Sequence, residues 1–299
     1  MKDKIETEIK IRIFLAILIT EQEQVTRAES MKAVQETIKT TEERFILDQQ
    51  QLQSIPVLDV KKDLPSLRNP PPNHKTPINS LEKCEAFIHN GFLLFHPQNS
   101  SSLIRNFISD KKQFNNPSIH VNTFYALKTQ SKTDLSDGAL RMKNTPNAGG
   151  TSVISEYMSF EVLKLAFDAK LLSTETEIRY YPEGKITDYV ASINKVNIGV
   201  SVTRAMKFPI DRDFDENDAK RLLEKKLYGV ICSTRNAQFP KFKRQILHIW
   251  SVNKKATDVL LSVYNNNISN DLKSNTIVII TTADGKKAQS IFWEVSNTN

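Results

Sequence analysis

From Thr151 to the C-terminus, stretches with apolar residues at helical spacing take turns with short strand-like runs. That alternation constrains the fold more than any other feature of the chain. "SVISEYMSFEVLKLAFDAKLL" spaces Ile154, Met158, Leu163, Leu165 and Phe167 as one helix would, with Ser152 as a candidate N-cap. "TEIRYY" alternates as a strand and runs into the turn "PEGK"; "ITDYVASI" and "NIGVSVTRA" are two more strands joined by "NKVN". "DENDAKRLLEKKLYGVI" is an amphipathic helix with Ala219, Leu222, Leu223, Leu227, Val230 and Ile231 inward. Its acidic start and basic middle suit the helix dipole. "RQILHIW" reads as a strand, "KKATDVLLSVYNN" as a helix, "NTIVIITTA" as a buried strand and "QSIFWEV" as a final strand. The expected order is helix, three strands, helix, strand, then helix, strand, strand, an α/β protein.

Upstream the pattern changes twice. Residues 3–53 hold neither proline nor glycine, and Ile5, Ile9, Phe14, Ile17 and Leu18 share a side, which predicts a helical arm over 1–53. Such an arm would lie on another surface or pair as a coiled coil, giving a protein partner or self-association. Six prolines between Pro56 and Pro77 remove backbone donors, so 54–80 is expected to be an extended linker. Residues 81–150 are mixed: "LEKCEAFIHNGFLLF" predicts a helix stopping at Asn90-Gly91 before a short strand, "SLIRNFISDKKQF" a helix, "SIHVNTFYALKT" a strand, and 129–150 a polar loop. Residues 151–299 form the α/β domain.

Apolar residues are 39% of the 299, enough for a sizeable core, and the net charge of +7 permits an anionic partner without requiring one. Cys84 and Cys232 stand far apart, which fits a reducing compartment and excludes a disulfide framework. "IFLAILI" (13–19) is too short to span a bilayer, acids precede it, and no small-residue cleavage site follows. The expectation is a soluble intracellular protein, nuclear or cytoplasmic, with no membrane partner.

"SEYMSFE", "PEGKITDY" and "GVSVTRA", set on a helix and two strands in that order, carry a resemblance. They resemble the resolvase-like branch of the PD-(D/E)XK restriction-endonuclease-like superfamily, over residues 151 to about 250. The resemblance implies a core of helix, three strands, helix and strand. It implies a glutamate on the first helix, an aspartate opening the second strand, and an E-x-K pair on the third. In such sites two acids hold Mg²⁺, and a lysine orients or stabilises the nucleophile. Here Glu156 or Glu161 is the helix acid; five positions apart, they lie about 140° from each other around a helix and cannot both face inward. Asp188 matches the strand aspartate, so Glu156 and Asp188 are the expected metal ligands. The E-x-K pair falls on Ser201 and Thr203, which carry no charge, and Arg204 and Lys207 are the nearest replacements. Arg204 points to the other face unless the strand twists or bulges.

A nucleic-acid surface is expected from Lys220, Arg221, Lys225 and Lys226 on the helix, from Arg235, and from Lys241, Lys243 and Arg244 in "KFKR". Phe239 and Phe242 interleave with the last group as candidate base-stacking residues. The five histidines are dispersed, and His248 reads as core. No phosphate-loop, dinucleotide, zinc-protease or nucleophile-elbow motif occurs, which speaks against the commonest nucleotide-binding, metalloprotease and serine-hydrolase classes. Two functions stay open: a Mg²⁺-dependent phosphodiesterase with a degenerate site, and a non-catalytic nucleic-acid-binding or scaffold protein.

Overall fold

A computed structural model describes residues 84–110, 112, 115–146, 152–208 and 212–292, all within the unit Pro77–Asn299. The expected helical arm and the whole of the expected linker lie outside them. Two antiparallel strands, β1 (Cys84–Ile88) and β2 (Phe92–Pro97), come first, followed by α1 (Ser100–Ser109), β3 (Ser118–Ala126) and α2 (Asp137–Asn144). Next come α3 (Val153–Phe167), β4 (Lys170–Thr174), β5 (Arg179–Tyr180), β6 (Tyr189–Ile193) and β7 (Val196–Ala205). The chain continues with α4 (Glu216–Asn236), β8 (Ala237–Phe239), β9 (Gln245–Ser251), α5 (Lys254–Asn267), α6 (Asn270–Lys273) and β10 (Ile277–Asp284). Eight strands form one mixed sheet in the order β1-β2-β3-β10-β9-β7-β6-β4, and β5 and β8 form a separate ribbon.

The middle of the sheet is parallel: β7, β9, β10 and β3 run the same way. Helices cover both sides there, so all of β9 is buried and the apolar run "IVII" of β10 disappears into the core. Strand alternation shows which helix covers which face. On β9, the Trp250 indole N–H donates to the Ser155 carbonyl of α3 at 2.9 Å, whereas the Gln245 amide reaches the Val230 carbonyl of α4 at 3.1 Å. The layers are therefore α3, sheet, α4. Residues 84–126, expected as part of a separate mixed region, supply β1, β2 and β3 to this same sheet and core.

Five local expectations change. "CEAFI" is strand β1, because its side chains pair register for register with β2 and close the sheet's edge. The helix expected through Leu172 stops at Phe167, where Asp168 takes a left-handed conformation (φ 53°) and its N–H caps the Leu163 and Lys164 carbonyls. The released "KLLST" becomes β4, while most of "TEIRYY" becomes a 3₁₀ turn (Glu175–Glu177) and the two-residue β5. The expected loop 129–150 contains α2, and the start of "QSIFWEV" is a 3₁₀ turn (Ala288–Ile291). Between β6 and β7, Asn194 (φ 51°) and Lys195 (φ 64°) make the two-residue hairpin turn in which both central residues are left-handed.

Helix α2 packs on α3 through Gly138, where any Cβ would overlap the Phe160 ring. Gly138→Ala should therefore destabilise the fold by about 1–2 kcal/mol, overpacking outweighing the better helix propensity of alanine. Urea denaturation tests this, and a stabilised variant would mean that the Phe160 ring yields.

Candidate functional site

Hairpin strand β7 is longer than its partner. β6 pairs with Val196–Val200 only, so residues 201–205 are bonded to β9 on one side and meet no strand on the other. Asp188 sits where β6 begins. Its backbone N–H donates to the Val200 carbonyl at 3.1 Å, and its Oδ2 accepts the Val202 N–H at 2.7 Å. The carboxylate thus stands in for the missing strand partner at the open edge.

Glu156 arrives at the same edge from the first turn of α3, 6% exposed, its Oε1 accepting the Ser152 hydroxyl at 2.6 Å. Ser152 does occupy the N-cap position, but its hydroxyl goes to this acid rather than to the helix backbone. Burial pushes the Glu156 carboxyl above its ordinary range; the Ser152 hydrogen bond opposes this and the charge of Glu175 adds to it. Asp188 is pushed up to about 7, first by burial and then by the negative charge of Glu156; Lys226 and the Val202 N–H partly offset the rise. Two enclosed acids that repel each other are costly to keep ionised, and a bound cation would relieve that cost.

Glu161, the other candidate helix acid, turns away. It accepts the Ser136 N–H ahead of α2 at 2.6 Å and lies 3.9 Å from His89. Helix geometry leaves only Glu156 for the β7 edge.

The third-strand residues divide differently from the expected mapping. The Ser201 hydroxyl donates to Gln245 Oε1 at 3.1 Å, inside a buried network with Thr187, Ser233 and Thr234 beneath α4. Ser201 is thus a packing residue away from the acids, and Thr203 shares its face by alternation. Arg204 pairs with Trp250 on the α3 face, the face of Glu156. Its guanidinium feels the Glu156 charge and donates to the Phe292 carbonyl at 2.7 Å. No twist or bulge is needed, because α3 lies on Arg204's own side. Lys207 is removed from the acids: it is held by Asp215 at 3.2 Å and Asp218 at 2.5 Å, at the N-cap of α4.

Positive charge comes instead from Lys226, which the sequence assigns to a nucleic-acid surface. From α4 its Nζ donates to the Val202 carbonyl at 3.2 Å, and its charge acts on both Glu156 and Asp188. Glu175 and Tyr180 are further members that sequence reasoning missed. The Tyr180 hydroxyl accepts the Thr187 N–H at 2.8 Å, and the nearby Asp188 and Glu175 charges help burial to raise its pKa. Tyr180 lies in the stretch read as a plain strand and Glu175 immediately before it, and only tertiary packing reveals them.

The other basic residues separate as well. Lys220, Arg221, Lys225, Arg235, Lys241 and Lys243 are exposed. Lys220 reaches Glu224 at 4.0 Å and Arg221 reaches Asp218 at 3.1 Å, pairs within α4 itself. Arg244 is buried and no part of a binding surface: its guanidinium donates to the carbonyls of Phe107, Asn116 and, at 2.8 Å, Asn275. Phe242 is buried with Ile178, Val190 and Ala237, which leaves Phe239, 66% exposed, as the aromatic still available to a ligand.

Among the described residues no three His, Cys, Asp or Glu side chains converge as a metal cluster, and no helix is long and apolar enough to cross a membrane. The residues present suit a hard cation held by two carboxylates and completed by water, since Mg²⁺ keeps most of its hydration shell.

No family profile and no solved structure matches the chain. It is similar to the AAC-rich mRNA clone AAC4 protein of Dictyostelium discoideum, with 44% identity over 158 residues. The match takes in 50% of this chain and 23% of that protein's own length.

Proposed function

We propose that this protein is a Mg²⁺-dependent nucleic-acid phosphodiesterase on a restriction-endonuclease-like core. One observation carries the reading: Asp188, just ahead of β6, fills the open edge of β7 through the Val202 N–H, and Glu156 of α3 stands near enough for its charge to act on that carboxyl. The run α3, β4, β6, β7, α4, β9 supports it by following helix, three strands, helix, strand. Glu156 and Asp188 would hold the ion. When bound, it would acidify a water and neutralise charge on a phosphate. Lys226, within reach of both acids, takes the role that a third-strand lysine would otherwise fill. Arg204 steadies Glu156 from the α3 face.

Purified full-length protein should nick a single- or double-stranded substrate with Mg²⁺ or Mn²⁺. The metal alone should raise the melting temperature, because it binds the folded site only. Glu156→Gln should abolish both effects, and Lys226→Met should lower cleavage about 100-fold or more while sparing the metal-induced shift. Neither cleavage nor a metal-dependent shift in the parent would overturn the proposal.

A second reading has its own observation. Ser201 and Thr203 supply no charge on β7, and Ser201 is occupied by Gln245. A non-catalytic nucleic-acid-binding protein needs no more than the basic surface. Its mark would be salt-sensitive binding that survives Asp188→Ala and falls with Lys225→Glu or Lys243→Glu. A scaffold role through residues 1–53 concerns residues outside those described.

A further inference from the structure

The small ribbon β5–β8 lies beside the acids and carries both buried and exposed side chains. Tyr180 and Ala237, paired across it, turn inward onto Ile178, Val190 and Phe242. Arg179 pairs with Phe239, and Tyr181 follows β5 directly, its N–H donating to the Asn236 carbonyl at the end of α4 at 2.8 Å. Tyr181 is 78% exposed and Phe239 66%. Two large aromatics this open, one on so short a ribbon and one just past its end, gain nothing from the core and invite a planar ligand.

The charge around them is positive. Arg179 is exposed on the ribbon, Arg235 stands in the last turn of α4 just before β8, and Lys241 follows β8; among the described residues none of the three is held in an ion pair. Glu183, exposed in the adjoining turn, is the one acid beside them on that turn. The inner face leads to the acids, since the Tyr180 hydroxyl takes the Thr187 N–H next to Asp188.

We infer that the β5–β8 ribbon is a stacking platform for single-stranded nucleic acid, Tyr181 and Phe239 receiving bases and Arg179, Arg235 and Lys241 the phosphates. This rests on the nuclease reading and adds a substrate class to it. A duplex keeps its base faces inside its own stack, so exposed rings can pair only with bases that are already unstacked. The basic flank supplies the salt-sensitive, sequence-independent share of binding. A strand lying on the ribbon would run toward the edge where Glu156 and Asp188 meet.

Fluorescence anisotropy with full-length protein in EDTA tests this without any cleavage. The probes are labelled oligodeoxythymidine, oligouridine and a DNA duplex of equal length. Both single strands, or one of them, should bind at least about tenfold more tightly than the duplex. Tyr181→Ala and Phe239→Ala should each weaken that binding about tenfold while leaving its salt dependence unchanged. The double variant Arg235→Ala/Lys241→Ala should instead flatten the salt dependence by about two ions. Both aromatic positions are exposed, so thermal melting should confirm parental stability. Unchanged affinity in the aromatic variants, equal or tighter duplex binding, or no binding to any probe would overturn the inference. Binding as expected with no metal-dependent cleavage would remove only the enzymatic reading. Cleavage untouched by the aromatic substitutions would remove only the ribbon.

Discussion

Asp188→Asn should make the protein more stable above pH 7 and inactive at once. In the unfolded chain this carboxyl titrates near 3.8; folded, it holds its proton up to about 7. A raised pKa favours the folded state at low pH, and that advantage is lost as pH rises from about 4 through about 7. At pH 8 the native protein carries an enclosed charge beside Glu156, at a cost of about 2–4 kcal/mol. Asparagine removes the charge and keeps an oxygen for the Val202 N–H. The variant's advantage, measured by urea denaturation, should therefore be near zero at pH 4 and largest at pH 8. Saturating Mg²⁺ should narrow the gap by stabilising the parent alone. A variant no more stable than the parent at pH 8 would mean that the acids are not in conflict and that the motive for a cation is absent.

Arg244→Ala should cost about 3–5 kcal/mol and lower the melting temperature by about 10 °C or more. The guanidinium joins the end of α1, the segment before β3 and the turn before β10 through three carbonyls, with its charge over the Phe107 ring at 5.8 Å. Burial pulls its pKa down to about 10, the mark of a charge kept in the interior by its hydrogen bonds. Removing it leaves those acceptors unpaired and opens a cavity. Lys243, exposed one position earlier, should tolerate alanine within about 0.5 kcal/mol. A melting curve for each variant separates the two. An Arg244→Ala protein that melts like the parent but binds nucleic acid poorly would return this residue to the surface where "KFKR" suggests it belongs.

These neighbours illustrate what a linear pattern conveys. In "KFKR" the sequence marks charge, but the buried carbonyls that claim Arg244 come from residues 107, 116 and 275, far away along the chain. Lys226 is the converse case: it reads as one more solvated helix lysine until α4 crosses β7 and brings its ammonium to Val202. The open choice between Glu156 and Glu161 was legible as a choice, because helix geometry allows only one to face the sheet. Its answer depended on where α2 starts, since the Ser136 N–H claims Glu161. The early end of α3 at Asp168 was hidden because "DAKLL" continues the apolar spacing, and the left-handed cap that breaks the helix has no strong sequence mark.

Periodicity by itself determined the long elements α3, α4, α5, β7, β9 and β10, because an amphipathic helix and a strand buried on both faces each leave a repeating signature in their own residues. It also singled out Asp188 as an acid at the start of a strand. Tertiary structure alone decided that β1–β3 join the same sheet, that Ser201 belongs to the packing and Lys226 to the acids, and that Tyr181 and Phe239 stay in water. Those outcomes depend on contacts between residues tens of positions apart, whose free energy resides in the meeting of surfaces and leaves no trace in either segment read by itself.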